Sequence, residues 1–267
     1  MSTNHPDAPL TPTRKPAING ETKFMVVALL IIMLGGITLF ALSKATTAPP
    51  PVAPVAKAIT AAKIDEMFAK SRHQKGDMSA ALTLVEFADF ECPSCRTAYN
   101  NTLKTELKTL PSYRIGFFNY PIPQHQRAVP AALAAEAAAK QGKFWEMYAE
   151  LFDKKSDGLD EKAIAAAAQR IGLDLPRFAA DRKDDKPLKA LINSDVSHAA
   201  DNQVDATPTF FIHDKAGNAA VLAGASNFAR IFPDLKNGVI GDDTIAPPDP
   251  EKGTVITVYI GGKRESR

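Results

Sequence analysis

The sequence contains two cysteines, Cys92 and Cys95, which directly follow a run of strand-forming residues. The β-rich stretch from Leu82 to Phe87 leads straight into Cys-Pro-Ser-Cys, which puts the first thiol at the start of a helix. Backbone N–H groups at a helix start lack partners within the helix, and together with the helix dipole they stabilise a thiolate. The second cysteine lies one turn deeper and can close a disulfide with the first. This layout predicts a dithiol redox site.

Other uses of two close cysteines fit the sequence less well. A structural zinc site normally needs about four ligands, but the chain has no further cysteine, and its five histidines show no His-x-x-x-His spacing. No metal ligand is therefore predicted. A purely structural disulfide over so short a loop would remove little entropy from the unfolded chain. Two inert, buried thiols remain an alternative, although this gives no reason for Pro93 and Ser94 between them.

The net charge of +2 and the hydrophobic share of 45% argue neither for nucleic-acid binding nor for disorder.

The N-terminal region contains one long apolar run. Phe24 to Leu42 is an uncharged stretch of 19 residues, and a helix of that length spans about 28 Å, enough for a bilayer core. The long segment before it favours an uncleaved transmembrane anchor at residues 24–43 over a cleaved signal peptide.

The chemistry decides the expected orientation, because basic residues flank both ends of the apolar run. A Cys-x-x-Cys oxidant is useful only where thiols are not kept reduced. We therefore expect a cytoplasmic tail at 1–23 and a catalytic domain in the periplasm or another extracytoplasmic space. Residues 44–60 are rich in proline and alanine and predict an extended linker. The folded domain is expected at 61–242, with a C-terminal tail at 243–267.

The order of the predicted elements indicates an α/β fold. A strand is expected at 81–89, a helix from Cys92 to about Leu107 with Pro93 in its first turn, and a second strand at 113–120. A mainly helical segment at about 122–204 follows, and a β-hairpin at 207–222 and a helix at 227–235 complete the domain. Within the helical segment, the predicted helices are 130–141, 143–152, 160–171 and 187–202.

Three separated motifs resemble those of the DsbA-like thiol–disulfide oxidoreductases. They are Phe87-Ala-Asp-Phe-Glu-Cys-Pro-Ser-Cys95, Gln141-Gly-Lys-Phe-Trp-Glu-Met-Tyr148 and Ala206-Thr-Pro-Thr-Phe-Phe-Ile212. The similarity extends over residues 62–237 and implies a thioredoxin-like fold with an inserted all-helical subdomain. About 85 residues separate the strand at 113–120 from Pro208, which leaves room for such an insertion.

The resemblance implies a role for each matching residue. Cys92 would be the nucleophile, and Cys95 the resolving thiol. Thr207 and Pro208 would form a cis-proline loop that packs against the disulfide and offers backbone hydrogen bonds to a substrate peptide. Glu86 would be a buried proton acceptor for the deeper thiol, although a glutamate in a strand can also lie exposed at a sheet edge.

The remaining polar residues near the motif have less specific interpretations. Pro93 and Ser94 are expected to tune the site, and Ser94 is either a helix cap or an O–H donor toward the Cys92 sulfur. Glu91 would oppose a thiolate if it pointed inward, so we expect it to face solvent. His125 and His198 are expected to be solvent-facing or capping residues. The sequence supports no catalytic role for three aromatic residues expected in the core, Phe144, Trp145 and Tyr148.

The leading hypothesis is a monomeric, membrane-anchored oxidoreductase that donates its Cys92–Cys95 disulfide to cysteine pairs of exported proteins. It needs no cofactor, and the resemblance implies a quinone-linked membrane partner that reoxidises it. A reductase or isomerase on the same fold remains open, because Pro-Ser lacks the histidine that strongly oxidising members carry between the cysteines. A non-catalytic binding module or chaperone is less favoured, because such proteins usually lose one active-site cysteine.

Overall fold

The computed structural model describes residues 59–80, 82–153, 158–183, 185–238 and 240. The predicted cytoplasmic tail at 1–23, the anchor at 24–43 and the tail at 243–267 lie outside these ranges, as does nearly all of the predicted linker. Within the described ranges, no helix combines the length and the apolar character that a membrane crossing requires.

A mixed sheet organises the described part of the chain. Its five strands lie in the order β1-β3-β2-β4-β5. The central strand β2 runs parallel to β3 and antiparallel to β4, and all six of its residues are buried, as expected for a strand covered on both faces. The strands are β1 (His73–Gly76), β2 (Thr83–Ala88), β3 (Arg114–Asn119), β4 (Thr209–His213) and β5 (Ala219–Ala223).

Helices cover both faces of the sheet. Before and after β2 the chain forms α1 (Ala61–Lys70) and α2 (Pro93–Ala98), and the latter continues through a π-helical turn (Tyr99–Leu103), α3 (Lys104–Glu106) and a 3-10 turn (Leu107–Thr109). Within the segment expected to be the all-helical insertion, the described residues form α4 (Ala128–Ala139), α5 (Phe144–Phe152), α6 (Glu161–Arg170), α7 (Leu175–Lys183) and α8 (Lys186–Asp201). The helix α9 (Ala225–Leu235) follows β5.

Several boundaries and elements differ from the sequence-based expectation. The helix predicted from Cys92 begins one residue later, with Cys92 as its N-cap. Helix α4 begins two residues before Pro130, so this proline lies in the first turn. Proline is tolerated there because the N–H groups of the first turn make no hydrogen bonds within the helix. Helices α1 and α7 and strand β1 were not predicted. Strand β1 reads His-Gln-Lys-Gly and has no apolar alternation by which it could be recognised.

Alternate residues of β2 belong to two different cores, because successive side chains of a strand point to opposite faces. Val85 and Phe87 pack in a smaller core with residues of α1 and α8. Leu84 and Ala88 pack in a larger core with residues of α2 and α4 to α9. Glu86 shares the second face, so this strand places a carboxyl group inside a mainly apolar core.

A buried ionic cluster joins the sheet to the helical insertion. Arg72 donates two hydrogen bonds to Asp195 on α8, at 2.8 and 3.0 Å, and a third to Glu136 on α4 at 3.2 Å. Asn119, at the end of β3, donates to both carboxylates. Burial alone would raise the pKa of Glu136, but His73 at 2.9 Å and Arg72 outweigh it and lower that pKa. We call these five residues the Arg72 cluster.

Candidate active site

Cys92 lies at the junction between β2 and α2. Its backbone N–H donates to the carbonyl oxygen of Asp89 at 3.1 Å, and Pro93 occupies the first helical position, where no N–H is required. Cys92 is 6% exposed, whereas Cys95, one turn further along α2, is 0% exposed. Both are free thiols, so the structure represents the reduced form of the pair.

The surroundings of Cys92 favour its thiolate. The hydrogen bond from the Cys95 thiol is the main cause that lowers the pKa of Cys92 to about 5, against the opposing effect of burial. The side chain of Thr207 and the backbone N–H groups of Cys95 and Ser94 lower this pKa further. Free cysteine is only a few per cent ionised at neutral pH. Cys92 is almost fully ionised there and is thus the stronger nucleophile of the pair.

Cys95 has the opposite character. Burial raises its pKa well above the ordinary value, and the hydrogen bond and charge of Cys92 raise it further. The charge of Glu86 also raises the pKa of Cys95, while a backbone hydrogen bond from Asp89 partly opposes these effects. At neutral pH, Cys95 therefore stays protonated and needs a proton acceptor before it can attack a disulfide.

The segment before β4 forms the wall opposite Cys92. The Thr207–Pro208 peptide bond is cis, the geometry that the resemblance implies. As a thiol, Cys92 donates to the carbonyl oxygen of Thr207 at 3.4 Å. The Thr207 hydroxyl is buried and has no hydrogen-bond partner within the described part of the chain. Because an ionised sulfur only accepts hydrogen bonds, this hydroxyl is available as a donor to the thiolate.

Glu86 lies within the core, with 0% of its surface exposed, and not at an exposed sheet edge. Burial raises the pKa of Glu86 to about 8, and a hydrogen bond from Tyr148 partly opposes this increase. The Tyr148 hydroxyl donates to Oε2 at 2.8 Å. The other carboxyl oxygen, Oε1, has no hydrogen-bond partner among the described residues. This carboxyl group can therefore gain and lose a proton near neutral pH.

Ser94 differs from its predicted roles, and Glu91 makes a contact that was not predicted. The Ser94 hydroxyl neither caps α2 nor donates to the Cys92 sulfur; it accepts a hydrogen bond from the N–H of Ala225 at 3.3 Å and links α2 to α9. Glu91 is half-buried, and its carboxylate accepts the N–H of Arg127 at 2.6 Å. Glu91 therefore connects the loop before Cys92 to the start of α4 and is not a freely solvated residue.

Sequence reasoning missed the ion pair between Asp89 and His125. The buried Asp89 carboxylate accepts the N–H groups of Glu91 and Ile122, and it lies 2.6 Å from Nδ1 of His125. This hydrogen bond is the main cause that raises the pKa of His125, and the negative charge of Cys92 adds to it. The one available signal was an aspartate directly after a buried strand, three residues before Cys92.

His198 and the predicted core aromatic residues have structural positions. The rings of His198 and Phe118 pack edge to face, with 5.4 Å between their centroids. Phe144 and Tyr148 are buried, whereas Trp145 is partly buried and donates to the carbonyl oxygen of Gln74. Within the described ranges, no three side chains of His, Cys, Asp or Glu are arranged to hold a metal ion.

A comparison with known families agrees with this geometry. A family model described as thioredoxin matches residues 69–223, more than half of the chain. The chain belongs to the thioredoxin family. The Cys92–Cys95 dithiol of this thioredoxin-family chain lies at the start of α2, where the pKa of Cys92 is lowered to about 5.

Solved structures with a similar fold include DsbA-type proteins. The thiol–disulfide exchange protein α-DsbA2 from Wolbachia pipientis is 19% identical, with a TM-score of 0.55 over 66% of this chain and 92% of that one. A periplasmic thioredoxin-like protein from Salmonella enterica serovar Typhimurium is 20% identical, with a TM-score of 0.51 over 68% of this chain and 99% of that one. These similarities establish the fold of this thioredoxin-family chain as DsbA-like.

The curated relatives contain a matching segment within much longer proteins. The Na⁺/H⁺ antiporter NhaA 3 of Salinispora tropica is 36% identical over 172 residues, which cover 61% of this chain and 26% of the antiporter. The thioredoxin-family chain thus spans about a quarter of the length of the curated relatives that it matches. The antiporter name describes those whole proteins and gives no transport activity to this chain.

Proposed function

We propose that this thioredoxin-family protein is an oxidase that donates its Cys92–Cys95 disulfide to cysteine pairs of exported proteins. The observation that carries this proposal is the stabilised thiolate of Cys92, whose pKa is lowered to about 5. A stabilised thiolate makes the reduced enzyme more stable relative to its disulfide form, and it makes Cys92 a good leaving group. Such an enzyme gives its disulfide away readily.

Oxidation of a substrate would occur in two thiol–disulfide exchanges. A substrate thiolate attacks the Cys92 sulfur and breaks the Cys92–Cys95 bond, and Cys95 leaves as a thiolate that takes a proton from Glu86. A second thiolate of the same substrate then attacks the substrate sulfur that is bonded to Cys92. The substrate disulfide forms, the bond to Cys92 breaks, and Cys92 leaves as a stable thiolate. Two electrons pass from the substrate dithiol to the enzyme dithiol. The backbone of Thr207, next to Pro208, would hold the substrate peptide in an extended conformation.

The location and the partner of the enzyme are part of the same proposal. The apolar run at 24–43 would anchor the chain in the inner membrane as a single-pass protein, and the linker at 44–60 would hold a monomeric domain on the extracytoplasmic side. The periplasmic Salmonella protein of similar fold supports this location. A quinone-linked membrane protein related to DsbB would reoxidise the Cys92–Cys95 pair.

The equilibrium between the enzyme and a glutathione redox buffer tests the direction of electron flow. An oxidase is expected to have a reduction potential clearly above that of thioredoxin, which is about −270 mV. Pro93 and Ser94 provide no histidine between the cysteines, so a value below that of the strongest oxidants, about −120 mV, is expected. A potential near that of thioredoxin would contradict the oxidase proposal and favour a reductase.

A trapping experiment identifies the substrates. Cys95→Ala removes the thiol that attacks the Cys92 sulfur in a mixed disulfide, so substrate proteins should accumulate as mixed disulfides with Cys92. The double variant with Cys92→Ser is the matched control and should capture none. Capture of exported proteins with cysteine pairs supports the proposal, whereas a Cys92→Ser protein that keeps full activity in cells would show that thiol chemistry is not the function.

A further inference from the structure

The contact between Tyr148 and Glu86 joins the helical insertion to the centre of the sheet. Tyr148 lies on α5 and Glu86 on β2, 62 positions apart in the sequence, yet their oxygens are 2.8 Å apart. Both side chains are buried. A buried polar atom without a hydrogen-bond partner destabilises a fold. Oε1 of Glu86 is such an atom, because it has no hydrogen-bond partner among the described residues.

We propose that Tyr148 is a positioning residue that holds Oε2 of Glu86 and leaves Oε1 to exchange a proton with Cys95. This inference rests on the proposed function and names a residue that the mechanism above does not use. The Tyr148 hydroxyl donates its hydrogen bond most strongly when Glu86 is a carboxylate. Its presence therefore makes the proton-accepting form of Glu86 more abundant.

The proton transfer belongs to the step in which Cys95 attacks. When Cys92 is in a mixed disulfide, the Cys95 S–H gives its proton to the Glu86 carboxylate, and the resulting thiolate attacks the Cys92 sulfur. A Cys92–Cys95 bond forms, the bond from Cys92 to the other cysteine breaks, and that cysteine leaves as a thiolate. The charge of Glu86 raises the pKa of Cys95, as expected for two groups that are not both ionised at once.

Tyrosine suits this position because it remains a donor. Burial raises the pKa of Tyr148 well above its ordinary value, and the charge of Glu86 raises it further. The hydroxyl therefore does not lose its proton at the pH at which Glu86 and Cys95 exchange theirs. A hydrogen bond to a charged group typically changes a pKa by about one unit or more. Removal of this bond should make the carboxylate about tenfold less abundant at neutral pH.

The test is Tyr148→Phe, which removes one oxygen and keeps the ring. The reduced enzyme is mixed with oxidised glutathione, and its oxidation is followed by the fluorescence of Trp145 between pH 6 and pH 9. At low glutathione the rate reports the attack by Cys92, and at saturating glutathione it reports the intramolecular attack by Cys95. In Tyr148→Phe, the saturated rate at pH 7 should fall about tenfold, with its pH midpoint moved upward, while the rate at low glutathione stays unchanged.

Tyr99→Phe is the matched control. The Tyr99 ring packs edge to face with that of Tyr148, with 5.6 Å between the centroids, but the hydroxyl that bonds Glu86 is that of Tyr148. This control should leave the saturated rate and its pH midpoint unchanged. In a Glu86→Gln background, Tyr148→Phe should have no further effect, because it acts only through the Glu86 proton.

The outcomes separate this inference from the proposed function. The inference is wrong if Tyr148→Phe keeps the pH midpoint of the original protein, or if it slows the reaction equally with and without Glu86→Gln. Either result would leave the oxidase proposal intact. An enzyme whose Cys92 does not react with oxidised glutathione, or whose reduction potential is near that of thioredoxin, would instead contradict the proposed function.

Discussion

Glu86→Gln should change how the stability of the protein depends on pH. Glutamine keeps the shape of the side chain and an oxygen that accepts the Tyr148 hydrogen bond, but it cannot ionise. In the folded protein, burial raises the pKa of Glu86 from 4.5 to about 8. The folded state therefore holds a proton that the unfolded chain releases across this interval. Stability from this group is fully present below pH 4.5 and is lost as the pH rises toward 8.

The size of the effect follows from the two pKa values. Each pKa unit corresponds to about 1.4 kcal/mol, so the free energy of unfolding falls by about 5 kcal/mol when the interval from 4.5 to about 8 has been crossed. About 3.5 kcal/mol of this loss lies between pH 5 and pH 8, where unfolding is easily measured. Glu86 is completely buried, so solvent does not screen the effect. The loss is a large part of the stability of an ordinary domain.

Urea unfolding of the reduced proteins between pH 5 and pH 8 measures this difference. The free energy of Glu86→Gln minus that of the original protein should increase by about 3.5 kcal/mol across the range, with equal denaturant slopes. Cys92 also titrates in this range, but it is present in both proteins and its contribution cancels in the difference. Two parallel curves would refute the reasoning, because they would show that Glu86 has the same pKa in the folded and unfolded states.

Three further results are expected. The ultraviolet absorbance of the Cys92 thiolate should titrate with a pKa of about 5, and Cys95→Ala should raise this pKa because it removes the main hydrogen-bond donor; an unchanged titration would contradict that cause. By NMR, the pKa of His125 should lie above the ordinary value of 6.5. Asp89→Asn should lower the pKa of His125 toward that value. Glu136→Gln should destabilise the protein by about 3 kcal/mol above pH 5 in urea unfolding, and the loss should shrink as the pH falls through the lowered pKa of Glu136.

The fold was predictable where local patterns were strong. The residue pattern of the apolar run predicts the strand β2, and that of the alanine-rich stretch predicts the helix α4. Glycine and proline residues indicate where such elements begin and end. Strand β1 lacks such a pattern, because its polar residues pair with β3 at the edge of the sheet. Helix α7 has one buried residue, Phe178, so the sequence shows no apolar stripe there. Tertiary contacts define both elements.

The sequence predicts only those site residues that lie in short, recognisable motifs. Cys92, Cys95 and Pro208 belong to short motifs whose spacing has a direct structural meaning. The partners of the acidic groups lie far away in the sequence: Tyr148 is 62 residues from Glu86, and His125 is 36 residues from Asp89. No periodicity relates positions so far apart. For Ser94, the sequence predicts a local role as a helix cap, but in the structure its hydroxyl accepts a hydrogen bond from Ala225 at the start of α9.

The helical insertion contributes to the burial that raises the pKa of Glu86. Without α5, the face of β2 that carries Glu86 would lose Tyr148 and the aromatic core beside it, and water would reach the carboxyl group. The pKa of an exposed glutamate is near 4.5, so Glu86 would be permanently ionised at neutral pH and a weak proton acceptor for a thiol. The Arg72 cluster fixes α4 and α8 to the end of β3 through buried and part-buried, charge-assisted hydrogen bonds. The insertion is thereby held against the face of the sheet on which Glu86 lies, and the burial that this packing causes raises the pKa of Glu86 to about 8.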